Sequence, residues 1–195
     1  MSLSIPRLSY KTIGQIADKF LDGYHPKISL PVPIEEIAEQ KLKIKIVPTA
    51  KLKENYDIDG FLTSDLAAIF LDLDIYLKYE NRTRFTIAHE VGHLILHGDI
   101  FKKLNINSIE KLNTLSDKLT DEEYGWIEYQ AYSFASQVLV PTRQLFGEIK
   151  GKLGRIPTNE MPEVFSPIAQ DLLQVFQVSG EVLLRRLQKE GILKL

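Results

Sequence analysis

A chain of 195 residues with 44% hydrophobic residues can bury one sizeable core, and it reads as a single globular domain with room for a small appendage. Its formal net charge of −2 at pH 7 supplies no basic excess for nucleic acid or an anionic membrane. No cysteine is present, which excludes disulfides and thiolate ligands and suits a reducing cytoplasm; neither a signal peptide nor a membrane-length apolar run is visible.

Residues 9–21 carry Ile13, Ile16, Ala17 and Phe20 at helical spacing, predicting an amphipathic first helix. His25 sits in the turn-like run Asp22-Gly23-Tyr24-His25-Pro26 and reads as an exposed loop residue. A connector over 26–33 leads to a short helix opened by Pro33, with Glu35 and Glu36 in its first turn, where the macrodipole favours acids. Residues 41–47 alternate Lys with Leu and Ile, a half-buried strand whose lysines form a solvated face. Two more strands are expected at 58–63 and 67–71 around a turn at Ser64-Asp65, and residues 72–81 link them to a helix over 82–98. The expectation is a small, mainly antiparallel sheet with a strand at 67–71 whose edge could align a peptide.

The stretch 82–98 reads RTRFTIAHEVGHLILHG and contains His89-Glu90-x-x-His93. Residues four apart on a helix lie on one face, so both imidazoles can reach one ion, while Glu90 points to a neighbouring face. Zinc takes neutral imidazoles as ligands, and zinc hydrolysis needs a carboxylate to accept a proton from water; this spacing supplies both. Phe85, His89, Gly92, His93 and Leu96 share an apolar stripe. Gly92 costs about 1 kcal/mol there relative to Ala, so its use is to admit another backbone or a ligand. His97 extends the row but lies about 12 Å along the axis from His89, too far for one ion to gather all three imidazoles. Next to Gly98, it is expected to close the helix. With no cysteine available and His25 in a loop, the third ligand is expected to be a carboxylate.

After a polar, weakly periodic span at 99–121, residues 121–139 form a second strong helix stopped by Pro141. Ala131, Phe134, Ala135, Val138 and Leu139 mark its buried stripe, and Glu128 lies on that stripe. An unpaired buried carboxylate is costly. Glu128 therefore needs either an ion held by His89 and His93 or an arginine, with Arg82, Arg84 and Arg143 as candidates. Glu122 and Glu123 are weaker ligand candidates, because acids are expected in a first turn anyway. Ser166-Pro167 is expected to start a helix running to Phe176, and Ser179 to cap another through Lys189. This pair resembles a helix-turn-helix but lacks a base-reading set, and reads as a helical pair packed on the rest.

The run from Arg84 to His97 resembles the active-site helix of the ImmA/IrrE family of metallo-endopeptidases. Glu128-x-x-Ala131-x-x-Phe134-Ala135-x-x-Val138-Leu139-Val140-Pro141 resembles that family's second signature, and Pro31 to Glu39 with Asp59-Gly60-Phe61-Leu62 its lead-in. Tyr132 stands where the family usually shows Asn. The resemblance implies Zn2+ on His89, His93 and Glu128, Glu90 as general base, and as substrate a cytosolic helix-turn-helix repressor cut in stress or mobile-element control. The expected architecture is an α+β, zincin-like metallopeptidase domain over 1–165 with a C-terminal helical pair over 166–195. Tyr124, Tyr129 and Tyr132 are candidates for stabilising the oxyanion. The leading function is a cytoplasmic zinc endopeptidase acting on a protein partner, with no direct nucleic-acid or membrane binding. Two alternatives stand beside it: a non-catalytic metal-binding sensor or interaction module of the same fold, and a DNA-binding regulator using the C-terminal helices.

Overall fold

The computed structural model describes residues 5–104 and 119–194. Helix α1 (Tyr10–Tyr24) starts where the Ser9 side chain accepts the Thr12 amide, and it buries Ile13, Ala17, Phe20 and Leu21. A short α2 (Ile34–Glu36) runs into a π turn (Ile37–Lys41) that buries Ile34, Ile37 and Ala38. The expected strand at 41–47 begins later. Leu42 still bonds back to Ile37, and Lys43 turns through a left-handed φ of 60°, so extended backbone starts only at β1 (Lys45–Thr49).

Next come α3 (Leu52–Tyr56), β2 (Gly60–Leu62) and β3 (Ala68–Asp72). The sheet order is β1-β3-β2. β1 pairs with β3 in parallel, Lys45 opposite Ala68 through Thr49 opposite Asp72, and β2 pairs with β3 antiparallel, Gly60 opposite Leu71. The sheet is therefore mixed, not mainly antiparallel. The hairpin β2-β3 takes the far side of β3 and leaves its near side for β1. That arrangement also corrects the expected peptide-aligning edge: the strand at 67–71 is central, and the edges belong to β1 and β2.

The link over 72–81 contains a helix, α4 (Leu73–Lys78), capped by Asp72. The Asp72 carboxylate accepts from the Asp74 and Ile75 amides at 3.0 and 3.1 Å and from the Lys53 amide at 2.9 Å. Burial raises its pKa, but those amide bonds outweigh it and hold the carboxyl below its ordinary range.

Helix α5 (Glu80–Leu104) does not close at His97-Gly98 as expected. Ile100 and Phe101 are buried beyond that point, and their packing carries the helix through the glycine. Of the polar span at 99–121, residues 105–118 lie outside the described residues. Helix α6 (Asp121–Leu139) has a reciprocal cap between Thr120 and Glu123 and stops before Pro141. Sequence periodicity did not signal α7 (Thr142–Leu153), which comes immediately after it. A 3-10 turn (Pro162–Phe165) leads without a break into α8 (Ser166–Phe176), whose first residue is Ser166, and Ser179 caps α9 (Gly180–Lys189) as expected.

The fold is α+β, mostly helical around the small sheet. Ile13, Ile69, Ile87, Phe134, Leu172 and Leu183 belong to one continuous apolar cluster that spans α1, β3, α5, α6, α8 and α9. Among the described residues, no helix is long and apolar enough to cross a membrane.

Candidate metal centre

Helices α5 and α6 meet at Gly92. A Cβ there would stand 3.0 Å from the Ala131 carbonyl oxygen and 3.2 Å from its Cα, so the missing side chain lets the α6 backbone approach. One turn away, this contact brings the imidazoles of α5 against the Glu128 carboxylate of α6.

His89 Nε2 and His93 Nε2 are 2.9 Å apart. Glu128 reaches both, at 3.2 Å from His89 Nε2 and 3.3 Å from His93 Nε2. A tetrahedral zinc ion with bonds of about 2.0–2.1 Å sets its ligand atoms about 3.3 Å apart. The carboxylate distances match that spacing, and the two imidazoles sit slightly closer. Nitrogens this near each other need either a shared proton or a cation between them. His89, His93 and Glu128 thus bring donor atoms together at the spacing a metal ion such as zinc needs, beside the cleft. His89, Glu90 and His93 also place one ligand atom each within 4.8 Å of one another. Of the two carboxylates, Glu128 spans both imidazoles, one oxygen to each, while Glu90 adjoins His89 in the chain.

The electrostatics arise from burial and these partners. Burial raises the Glu128 pKa, but hydrogen bonds from His89 and His93 hold the carboxyl far below its usual range. For His89, burial works against the proton while Glu128 and Glu90 more than restore it, leaving its pKa raised. Glu90 is 5% exposed, and burial pushes its carboxyl up against the opposing pull of His93, His89 and the Leu62 backbone.

The arginines weighed as partners of Glu128 do not pair with it. Arg82 grips Asp59 with two hydrogen bonds of 2.6 and 2.8 Å, Arg84 donates to the Val32 carbonyl at 2.9 Å, and the ion-pair partners of Glu128 are the two imidazoles. Glu122 pairs with Arg7, and Glu123 serves the α6 cap. His25 bonds at Ser29, away from the cluster.

Sequence reasoning left His97 at a helix end. It is instead 1% exposed, with its Nδ1 3.3 Å from His93 Nδ1. Burial and His93 push its pKa down to about 3, so the ring is neutral, with the Gln130 amide acting the other way. The available signal was the i+4 spacing from His93, which continues the buried face.

A cleft of about 370 Å³ lies over the cluster. Its walls come from β2 and its lead-in (Asp59, Gly60, Phe61), from Phe85 and Phe101 of α5, and from Tyr124, Ile127 and Tyr132 of α6. Burial, then Glu128 and Glu90, push the Tyr124 phenol up to about 12. The Tyr132 ring packs 4.9 Å from Phe85, and its hydroxyl is buried with no partner among the described residues. Tyr129 does not line this cleft.

The family model described as Peptidase M78, IrrE N-terminal-like domain, matches residues 39–188. No curated protein matches the chain. Among solved structures, a Mycobacterium tuberculosis transcriptional regulator has a similar fold, with a TM-score of 0.59 and 15% identity. That likeness covers 90% of this chain and 55% of the regulator, so this chain spans about half the length of that protein.

Proposed function

The chain belongs to the Peptidase M78 family of IrrE N-terminal-like domains, and from that premise we propose that it is a zinc-dependent endopeptidase of the cytoplasm. Its substrate is one protein, a helix-turn-helix transcriptional repressor, cut at a single site. The observation that carries the reading is that His89 Nε2 and His93 Nε2 lie 2.9 Å apart with one Glu128 oxygen at 3.2 Å from the first and the other at 3.3 Å from the second, beside the buried Glu90 carboxyl on a cleft wall.

His89, His93 and Glu128 would hold the ion. When bound, zinc polarises the peptide carbonyl and makes water a stronger acid. Glu90 takes the proton from the attacking water and passes it to the leaving amine. Burial raises its pKa toward the working range of a group that must both accept and release a proton. Tyr124, protonated and near both carboxylates, donates a hydrogen bond to the oxygen that becomes negative. β2 pairs only with β3 among the described strands; its outer edge, where the Leu62 amide meets the Glu90 carboxylate, borders the cleft and aligns an extended peptide there. On this reading residues 1–165 form the peptidase domain, with residues 166–195 as a helical pair packed on it.

Glu90→Gln tests the assignment, because it keeps size and removes the base. The variant should bind zinc like the wild type and lose cleavage of the repressor by about a hundredfold or more. Equal cleavage by the variant would remove Glu90 from the role. Casein and unrelated unfolded proteins should be poor substrates, and brisk digestion of them by the wild type would overturn the single-target claim. Tight repressor binding without cleavage by the zinc-loaded wild type favours a non-catalytic module of the same fold.

A further inference from the structure

A second cavity, of about 590 Å³, opens from the other side of the candidate metal centre, between α6 and α9. His89, Glu128 and Tyr132 line both this cavity and the first, so the two adjoin at the candidate metal ligands like the halves of one trough. The halves differ in chemistry. Among the described residues, no lysine or arginine lines the first half, which brings Asp57 and Asp59 together with Phe61, Phe85 and Phe101 over the candidate metal ligands and Glu90. The second is walled by Tyr10, Tyr129 and Tyr132 together with Arg185, Arg186 and Lys189, and Glu128 is the only carboxylate that the described residues bring to it.

The cations differ in how far they are committed. Arg186 is buried and paired with Glu190, so its charge is spent within the fold. Lys189 is exposed, with its ammonium 5.8 Å from the Tyr10 ring centroid and 5.6 Å from that of Tyr129, and no carboxylate among the described residues pairs with it. Arg185 lies 5.2 Å over the Tyr132 ring. Its pair with Glu181 is solvent-exposed, with side chains 56% and 66% accessible, and such pairs contribute little and exchange readily. Two cations held over aromatic rings, beside a junction whose own carboxylate is engaged by two imidazoles, make a receptor for an anion.

We propose that this half of the trough is a subsite for an acidic side chain of the substrate, Asp or Glu, on one side of the scissile bond, with Arg185 and Lys189 as its specificity-determining residues. The proposal rests on the peptidase reading and adds the substrate's charge pattern: an acidic residue toward α9, an apolar residue toward Phe61 and Phe85. Tyr129 and Tyr10 hold the Lys189 ammonium over the pocket, and Arg185 leaves Glu181 for the substrate carboxylate, a charge-assisted bond in a partly desolvated site.

Two measurements test it. In the first, the zinc-loaded wild type is given a library of acetylated, amidated peptides, so that side chains supply the only carboxylates, and products are read by mass spectrometry. Cleaved peptides should be enriched in Asp or Glu at a fixed offset on one side of the cut. In the Arg185→Glu/Lys189→Glu variant the enrichment should pass to Lys or Arg. Cleavage without acidic enrichment, or with enrichment that survives the charge reversal, overturns the subsite.

The second measurement does not need turnover. Zinc-loaded Glu90→Gln protein is titrated by calorimetry with amidated hexapeptides carrying two Glu before or after a Leu-Phe pair, and with their Gln counterparts. One Glu peptide should bind about tenfold tighter than its Gln twin. That advantage should vanish in the charge-reversed variant, whose unchanged thermal unfolding shows the fold intact. Equal affinities overturn the subsite even if the library is cleaved. A Glu preference in binding with no cleavage of any peptide or of the repressor upholds the subsite and sinks the peptidase reading.

Discussion

His93 has a partner for each of its ring nitrogens. Nε2 faces His89 and Glu128, and Nδ1 lies 3.3 Å from His97 Nδ1. If Nε2 serves an ion, the proton sits on Nδ1 and is donated to the neutral His97 ring, which must then carry its own proton on Nε2. That atom is buried without a partner among the described residues, and so is the Oε1 acceptor of Gln130, whose amide acts on His97. Gln130 in turn donates through Nε2 to the Pro6 carbonyl at 2.9 Å. With an ion on Nε2, the row from His93 through His97 toward Gln130 and Pro6 would orient the His93 ring and set its tautomer. His97→Leu fills the same space and removes the acceptor, so zinc affinity measured by chelator competition should fall about 10–100-fold. His97→Gln, which can still accept from Nδ1, should lose less. Wild-type affinity in His97→Leu would show that His97 only fills space.

At the scale of elements, the centre depends on how closely α5 approaches α6. Gly92→Leu places a side chain where even a Cβ meets the Ala131 backbone at 3.0 Å, and overpacking of this kind costs about 1–3 kcal/mol. Because the same contact sets the distance from Glu128 to the imidazoles, stability and zinc affinity should fall together. Gly147→Ala in α7 is the contrast. No described residue lies within 4 Å of its Cβ position, so helix propensity alone should stabilise by about 0.5–1 kcal/mol and leave zinc affinity unchanged. A Gly92→Leu variant that melts lower yet holds zinc like the wild type would separate helix spacing from ligand placement. These elements also show what a sequence can disclose. α6 is legible at both ends because its signals are local: Thr120 and Glu123 cap one end and Pro141 stops the other. The end of α5 is not, because burial of Ile100 and Phe101 outweighs the local breaking signal of Gly98. His89, Glu90 and His93 come into register by helical spacing alone. Apart from the family signature, Glu128 is legible only as a carboxylate on an apolar stripe, and its choice of imidazoles over arginines is made by the Gly92 contact, between residues far apart in the chain. The trough beside α9 left no mark, since its tyrosines and cations come from three separate helices.

Across the whole molecule, one buried cation joins the two ends of the chain. Arg186 of α9 is 1% exposed. It donates to the Val140 carbonyl from Nε at 3.2 Å and from Nη2 at 2.9 Å, and to the Thr142 hydroxyl at 3.0 Å. Its Nη1 meets the Tyr10 hydroxyl and Glu190. The guanidinium thus fastens α9 to α1 and to the junction between α6 and α7, where Val140 would otherwise leave a carbonyl without a donor. Removing one member of such a buried pair strands the other charge, so Arg186→Ala should cost about 3–5 kcal/mol. For a chain of this size that lowers the thermal midpoint by about 10 °C. Arg186→Lys keeps the charge but cannot bridge several acceptors at once, and should fall between. In Arg186→Leu/Glu190→Leu both charges are gone, so much of the loss should return. If the double variant melts as low as Arg186→Ala, the missing contacts to Val140 and Thr142 matter more than the stranded carboxylate. If Arg186→Ala melts within a degree of the wild type, Arg186 is not what holds α9 in place. The outcome bears on the cleft as well, because Arg185 and Lys189 ride on the same helix. Loosening α9 should blunt acid preference in proportion to lost stability, whereas reversing the two exposed charges should invert that preference with stability unchanged.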